Sequence, residues 1–323
     1  MLAELLTADS LGILTVSALV GVVIGLTGMG GGALMTPGLI FLGVPPTAAV
    51  ANDLVAAVLN KSVGAAVHWR QGSPNLPLTA WLIVGSVPFA LAGAFIINAS
   101  GGDTEQQSFV RVAIGSTLVL ASLTYVARLL VHLLRRTGDG SPNPRIRPLP
   151  TLIVGAVGGL LVGITSVGSG SLIMVALLLL YPRMRANRLV GTDLLQAIPL
   201  VCAAAAGHVI ITGVDWAILV PLILGGAPGT YLGARLASRV PQSVVRRGIA
   251  IVLSLTGLTM LGVPPMAVAV IGAGMVLLGP VIWGSIRQAC GRSVFWPVPL
   301  PERRAASGAG LVRKPSRSQR GGR

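Results

Sequence analysis

Long apolar blocks without a charged residue run along most of the chain, separated by short polar segments. Residues Ile114–Ala127, Leu152–Leu180 and Gly248–Ser285 contain no Asp, Glu, Lys or Arg. About 20 apolar residues suffice for a helix to cross the hydrocarbon core of a bilayer. The pattern therefore predicts an all-α polytopic integral membrane protein with roughly 8–11 membrane segments.

Composition agrees with this prediction. Of the 323 residues, 53% are hydrophobic and 10% are charged, and the mean hydropathy is +0.82. A soluble domain has about 25% charged residues, so water does not solvate most of this surface. The first ten residues contain Glu4 and Asp9 but no Lys or Arg. A signal peptide begins with positive charge, so we expect the first apolar run to be a retained span.

Two parts of the chain share an ordered set of residues. The segment GLTGMGGGAL at 25–34 aligns with GITSVGSGSL at 163–172, a shift of 138 positions. Four further pairs lie 140 positions apart: Asp53 and Asp193, His68 and His208, Pro88 and Pro228, Gly93 and Gly233. Because a constant shift through such different residue types is hard to obtain by chance, we interpret the chain as two homologous halves.

This duplication gives a domain organisation. We expect a first membrane repeat at 1–135, a polar basic linker at 136–148 and a second membrane repeat at 149–262. An additional membrane span at 263–285 precedes a basic tail at 286–323. The linker is assigned from its prolines, glycines and charges, which are typical of connecting segments.

Each half begins with an apolar stretch that is too long for one crossing. A single helix over residues 11–42 would be about 48 Å long, against about 30 Å of hydrocarbon. The glycine-rich segments are where these stretches should break into discontinuous helices. Such helices at corresponding positions of two halves indicate a transport site.

Loop charges predict that the two halves are inverted repeats. The connection after the fourth segment of the first half carries Asp103 and Glu105. The corresponding region of the second half carries Arg235, Arg239, Arg246 and Arg247. Because positive loops face the cytoplasm, corresponding loops should lie on opposite sides of the cell (cytoplasmic) membrane, with the linker and tail inside. A parallel arrangement with eight spans is the alternative.

The tail holds nine of the 24 Lys and Arg residues but one acid, Glu302. Rich in Gly, Ser and Arg, it has no face that can be buried, so we expect it to be disordered. Beside a membrane, such a tail is expected to remain cytoplasmic and to contact anionic lipid rather than nucleic acid.

The ordered motifs of both halves resemble the sulfite exporter TauE/SafE family of permeases. The first half contains GLTGMGGGALMTPGL at 25–39 and LGVPP at 42–46. The second half contains GLLVGITSVGSGSLIM at 159–174 and RLVGTDL at 188–194. The resemblance implies a permease for sulfur-containing anions such as sulfite or organosulfonates. The chain departs from the family pattern in its long tail and in Asn52-Asp53, where a Thr-Ser type of pair is commoner.

The glycine-rich segments are candidate substrate-binding sites. At the N-terminus of a half-helix, unpaired backbone N–H groups and the helix dipole attract an oxyanion, and glycine permits close approach. The alternative is that small residues serve only close helix packing. A dinucleotide fingerprint is rejected because 16 apolar residues, rather than a short strand, precede the motif. The candidates are Gly28, Gly30, Gly31, Gly32, Gly168, Ser169 and Gly170.

Ionisable residues that interrupt apolar sequence are the second group of candidates. A charge inside a membrane is costly unless paired or hydrated, so such residues are functional candidates by default. Lys61 is a candidate for binding the substrate. Asp53, Asp193, His68 and His208 are candidates for coupling transport to a cation. Alternatives are that Asp193 caps a helix start and that the histidines are structural groups at the membrane interface.

The sequence thus favours a permease that moves a small anion by alternating access, with no cofactor and no metal. We do not expect an enzyme, since no triad, metal-ligand set or paired-carboxylate spacing is found. Two alternatives are an intramembrane hydrolase with Asp53 and Asp193 as its dyad, and a membrane sensor or scaffold that acts through the basic tail. Neither the substrate nor the oligomeric state follows from the sequence.

Overall fold

The computed structural model describes residues 8–27, 31–70, 74–134, 145–182, 184, 186–236, 239–240 and 242–289. These residues form helices and connecting turns, without a β-strand. The helices are α1 (Ala8–Thr27), α2 (Gly32–Phe41), α3 (Pro46–Arg70), α4 (Leu76–Ala99), α5 (Asp103–Leu134), α6 (Pro148–Thr165), α7 (Leu172–Leu180), α8 (Ala186–Ile211), α9 (Trp216–Leu236), α10 (Gln242–Met260) and α11 (Pro265–Ala289).

The predicted all-α polytopic membrane fold is confirmed. Six helices contain a stretch long and apolar enough to cross a bilayer, namely Leu76–Ala99, Asp103–Ala127, Pro148–Thr165, Arg188–Ile211, Trp216–Leu236 and Pro265–Ser285. Helix α11 continues to Ala289, while its candidate span covers Pro265–Ser285. The rest of the tail, 290–323, lies outside the described residues.

Polar caps begin the fourth helix of each half. The Asn75 side chain accepts a hydrogen bond from the Leu78 N–H at 3.1 Å. At the corresponding start of α9, Asp215 Oδ1 accepts one from the Ala217 N–H at 2.9 Å. A cap of this kind satisfies a backbone donor that has no partner within the helix. Helix α5 begins with Asp103 and Glu105, whose negative charge favours a helix N-terminus.

The first apolar stretch folds back on itself. A Cβ on Gly31 would lie 2.8 Å from Ile24 Cδ1, and one on Gly38 would lie 3.0 Å from Val16 Cγ1. Later residues of α2 therefore contact earlier residues of α1. The two helices form an antiparallel hairpin, so the stretch does break at the glycine-rich segment.

Helices of one half pack against non-corresponding helices of the other. A Cβ on Gly25 of α1 would overlap the Thr230 carbonyl oxygen of α9. In the equivalent position, a Cβ on Gly163 of α6 would overlap the Ala90 carbonyl oxygen of α4. Only glycine allows backbones to approach this closely, a common device where no hydrophobic effect drives helices together in lipid. The α1–α9 and α4–α6 pairs are therefore built alike.

Helices α5 and α10, which correspond between the halves, pack against each other in opposite directions. A Cβ on Gly115 would lie 3.0 Å from the Gly257 carbonyl oxygen. Ser122, seven residues after Gly115, donates its hydroxyl hydrogen to the Ala250 carbonyl oxygen at 2.9 Å. Ala250 lies seven residues before Gly257, so the two helices run in opposite directions. An inverted repeat requires corresponding helices to run oppositely. The duplication and its inversion both stay predictions.

Side-specific labelling of single cysteines tests the inversion. In a variant with both native cysteines replaced by serine, Gly102→Cys should react with an impermeant thiol reagent added outside. Arg239→Cys, in the corresponding turn of the second half, should be protected in intact cells and react after permeabilisation. The physical reason is that positive loops face the cytoplasm.

Gly213→Cys, between α8 and α9, is the control and should label from outside as Gly102→Cys does. Labelling of positions 102 and 239 from the same side would support the parallel eight-span arrangement instead.

Candidate functional site

The two discontinuous apolar stretches break between α1 and α2 and between α6 and α7, and these two breaks lie against each other. Helix α2 begins at Gly32, where a Cβ would overlap the carbonyl oxygen of Ser166. Ser166 follows the last residue of α6 and has φ 58° and ψ −1°, a left-handed conformation that terminates the helix. Its N–H donates to the Val162 carbonyl oxygen at 2.8 Å. Helix α2 of the first half thus starts against the end of α6 of the second.

A buried carboxylate joins these breaks to α3. Asp53 lies in the second turn of α3 and is 3% exposed. Its Oδ2 accepts a hydrogen bond from the Thr36 hydroxyl of α2 at 2.6 Å. The same oxygen accepts one from the Ser166 hydroxyl at 2.8 Å. One carboxylate oxygen therefore holds α2, α3 and the end of α6 together.

Lys61 lies about two turns further along α3 and is also buried. Its ammonium group donates a hydrogen bond to the Ser169 hydroxyl, in the break that precedes α7. It also interacts electrostatically with Asp53 and with Asp193 of α8. The ammonium therefore lies within electrostatic reach of both carboxylates and next to the second glycine-rich segment.

Asp193 is 4% exposed, and its Oδ1 accepts a hydrogen bond from the Gln196 Nε2 at 3.2 Å. The suggestion that Asp193 caps a helix start is wrong, because α8 begins at Ala186 and continues past it. The side-chain oxygen of Gln196, Oε1, is buried without a hydrogen-bond partner among the described residues. A buried acceptor without a donor is uncommon and calls for an explanation.

His208 lies near the end of α8, where its ring Nε2 is 2.8 Å from the Gly163 carbonyl oxygen of α6. With 1% exposure it is buried, and its position relative to the membrane interface stays a prediction. The contact satisfies a carbonyl in the last turn of α6, which has few partners within the helix. His68 lies in α3, and its side chain is outside the described residues.

Comparison with known proteins identifies the family. The model of the family described as "Sulfite exporter TauE/SafE" matches residues 13–260, from α1 to the end of α10. The chain belongs to the sulfite exporter TauE/SafE family. It is 35% identical over 255 residues to a Bacillus subtilis (strain 168) protein named "Probable membrane transporter protein YjnA", covering 78% of this chain and 100% of that protein. A second Bacillus subtilis relative, "Probable membrane transporter protein YdhB", is 26% identical over 250 residues, covering 77% and 99% of the two chains.

As a TauE/SafE protein, the chain is a multi-pass membrane transporter. The structure places the described glycine candidates around the breaks. Gly31 and Gly32 stand at the N-terminus of α2, while Gly168, Ser169 and Gly170 form the turn before α7. Gly168 has a φ of 115°, which favours glycine. Gly28 and Gly30 lie outside the described residues. Substrate binding by these residues stays a prediction.

The sequence reasoning missed Thr36, Ser166 and Gln196. Thr36 and Ser166 are uncharged, so they do not stand out in an apolar chain as Asp53 does. One signal was present, because Ser166 aligns with Gly28 and so places a hydroxyl where the other half has none. Gln196 lies three residues after Asp193 on the same helix, a spacing at which side chains meet.

Four ionisable side chains are buried among the described residues: Asp53, Lys61, Asp193 and His208. A charge inside a membrane is costly unless it is paired or hydrated, and Lys61 interacts electrostatically with both carboxylates. An anion that enters the site would change this balance of charge. Coupling of transport to a cation or a proton through these residues stays a prediction.

Close approach of the two breaks can be tested with Gly32→Ala. The added Cβ overlaps the Ser166 carbonyl, so the breaks must separate, and we expect a loss of about 1–3 kcal/mol of stability. Thermal unfolding in detergent should show a lower Tm for Gly32→Ala, and reconstituted transport should fall.

Gly248→Ala is the matched control, because that helical glycine of α10 has open space around the position of a Cβ. It should unfold at the wild-type temperature or slightly above it. Equal Tm values for both variants would contradict the close approach.

Proposed function

We propose that this TauE/SafE protein is a permease that moves small sulfur-containing or organic anions across the cytoplasmic membrane. The single observation that carries the proposal is the buried Lys61 ammonium, hydrogen-bonded to Ser169 in the break before α7. A lysine inside a membrane segment is costly and marks a substrate path by default. The family and the names of the two relatives support a transporter.

The surroundings of Lys61 suit an oxyanion. An ammonium has three donors and a compact charge, and hydrogen bonds to charged groups are stronger than neutral ones. The N-terminus of α7 follows directly after Ser169 and Gly170, and the positive end of a helix favours an anion. Sulfite, sulfonate and carboxylate oxygens are all acceptors of this kind. The site therefore supports an anion, while the choice among these anions rests on the family resemblance.

Transport by alternating access fits the way the halves pack. The crosswise pairs α1–α9 and α4–α6 and the antiparallel pair α5–α10 are what a two-fold axis in the membrane plane would produce. A site at the meeting of two such halves opens to either side when one half rocks against the other. We infer the same orientation from the loop charges, with the 136–148 linker and the basic tail in the cytoplasm and the tail beside anionic lipid.

Coupling follows from the charge of the site and of the membrane. Moving one charge across 100 mV changes the free energy by about 2.3 kcal/mol. An anion imported against a negative interior needs an accompanying cation, whereas an exported anion moves downhill. Asp53 and Asp193 are the buried carboxylates that would take up a proton, and His208 and His68 are further coupling candidates.

The alternative functions have less support. In a hydrolase dyad, two carboxylates share a site closely, whereas here the Lys61 ammonium interacts with both carboxylates and Asp53 is held by two hydroxyls. A sensor or scaffold would act through the tail, beyond the described residues.

Substitution of the site residues tests the permease. In proteoliposomes supplied with sulfite, thiosulfate, a sulfonate or a carboxylate, the wild type should transport at least one of them. Lys61→Met and Ser169→Ala should lower affinity about 10- to 100-fold, since a hydrogen bond to a charged group contributes about 1.5–3 kcal/mol.

Ser122→Ala is the control for loss of a buried hydroxyl. Its hydrogen bond to α10 lies between α5 and α10, apart from the breaks, so it should transport as the wild type does. Wild-type uptake by both site variants, with the same Tm, would refute the anion site.

Deletion from Arg287 onward separates a permease from a scaffold. The family match ends at residue 260, so the shortened protein should keep its transport rate and affinity in proteoliposomes. Binding to anionic vesicles should weaken, because several basic residues near the surface contribute about 1 kcal/mol each. Loss of transport by a well-folded deletion variant would favour a role for the tail in function.

A further inference from the structure

The hydrogen bonds of Asp53 have no counterpart at the aligned positions of the second half. Asp53 aligns with Asp193, but Thr36 aligns with Met174 and Ser166 aligns with Gly28. Neither methionine nor glycine has a side-chain group that can donate a hydrogen bond to a carboxylate. The two hydroxyl donors are therefore specific to the environment of Asp53, even though the backbone pattern of the halves is repeated.

The two hydroxyls lie where an anion would be stabilised. Thr36 is in the second turn of α2, close to its N-terminus at Gly32, and Ser166 lies in the α6–α7 break that also contains Ser169. The ammonium of Lys61 interacts electrostatically with Asp53. The Asp53 carboxylate thus has hydroxyl donors, a helix N-terminus and a cation nearby. These are the groups that an oxyanion substrate would need.

We propose that Asp53 is an internal anion that competes with the substrate for the Thr36 and Ser166 hydroxyls. This inference rests on the proposed anion permease and assigns Thr36 and Ser166 as substrate-binding residues. When Asp53 takes a proton from solution, an O–H bond forms on the carboxyl group and its negative charge is lost. The hydroxyls then rotate and donate to an oxygen of the substrate anion. No electron is transferred.

The competition links proton binding to anion binding. A hydroxyl cannot donate its single hydrogen to two acceptors at full strength. Ionised Asp53 therefore lowers the anion affinity in two ways: it accepts the hydrogen bonds of the Thr36 and Ser166 hydroxyls, and its negative charge repels the anion. Because binding linkage is reciprocal, the anion must favour protonated Asp53 as strongly as the proton favours anion binding. Anion affinity should rise as pH falls, and each bound anion should take up close to one proton.

The neighbouring helices identify which other groups act on Asp53. Helices α2, α5, α8 and α9 pack against α3, and α2 carries no titratable side chain. Among the described residues, Lys61 is the charged group that interacts electrostatically with Asp53, and Asp193 of α8 acts on Lys61 in turn. Among the described side chains of α5 and α9, the charged groups of Asp103, Glu105, Arg111 and Arg235 are exposed. His208 of α8 contacts the Gly163 carbonyl of α6.

The test measures anion binding to the full-length protein in lipid nanodiscs by calorimetry. The probes are thiosulfate and 2-hydroxyethanesulfonate, whose charges stay constant between about pH 5 and pH 8, so only groups of the protein titrate. Two buffers of different ionisation enthalpy give the number of protons taken up. For the wild type we expect affinity to rise as pH falls, by at most tenfold per pH unit, with proton uptake.

Asp53→Asn should remove this pH dependence, because the amide cannot ionise, and should bind with the affinity that the wild type reaches at low pH. Asp193→Asn, at the aligned position, should keep a pH dependence whatever its absolute affinity. A wild-type slope in Asp53→Asn would overturn the proposal, as would loss of the slope in Asp193→Asn alone.

Thr36→Val and Ser166→Gly test the donors independently of whether Asp53→Asn folds. Glycine accepts the positive φ of Ser166 and is the residue aligned with it. Each variant should bind the anion about tenfold or more weakly at low pH, whereas Ser122→Ala should bind as the wild type does. Wild-type affinity in both donor variants would overturn the proposal. If the wild type bound neither probe and transported no anion, the permease itself would be refuted; transport with pH-independent binding would refute the competition alone.

Discussion

The constraint on which this structure depends is that a bilayer core offers no water to a polar group. Asp53 can stay in a membrane segment because the Thr36 and Ser166 hydroxyls donate to it. Those donors come from two discontinuous helices, so satisfying one carboxylate also brings the breaks together. Broken backbone is tolerated at membrane depth only where protein covers it. The same contacts therefore stabilise the breaks and assemble the candidate site.

Glycine makes this assembly possible. The Gly32 backbone touches the Ser166 carbonyl, and the α1–α9 and α4–α6 pairs approach through glycines at equivalent places. Close approach replaces the hydrophobic effect, which does not drive helices together in lipid. The close approaches of α1 to α9 and of α4 to α6 are alike, but the polar residues at the aligned positions differ. Lys61 aligns with Val201, and neither hydroxyl donor to Asp53 has a hydroxyl at the aligned position of the other half.

Much of the site was predictable because charge in an apolar sequence is conspicuous. Asp53, Lys61 and Asp193 stood out, and the structure places each carboxylate within electrostatic reach of Lys61. The suggestion that Asp193 caps a helix was wrong, because α8 has already begun at Ala186. The residues Gly-Thr before an acid are typical of a helix start, but they also occur inside a helix. Thr36 and Ser166 were missed because a hydroxyl in a membrane helix usually bonds to its own backbone, as Thr165 does with the Leu161 carbonyl.

The sequence by itself determined the helical membrane fold and the family, because these depend on apolar runs and ordered motifs that are local in the chain. Only the tertiary structure decided which donors meet which carboxylate. Asp53 and Ser166 are 113 positions apart in the sequence, and Lys61 and Ser169 are 108 positions apart. Their contacts depend on how two glycine-rich breaks approach through space, and no periodicity along the chain records that approach.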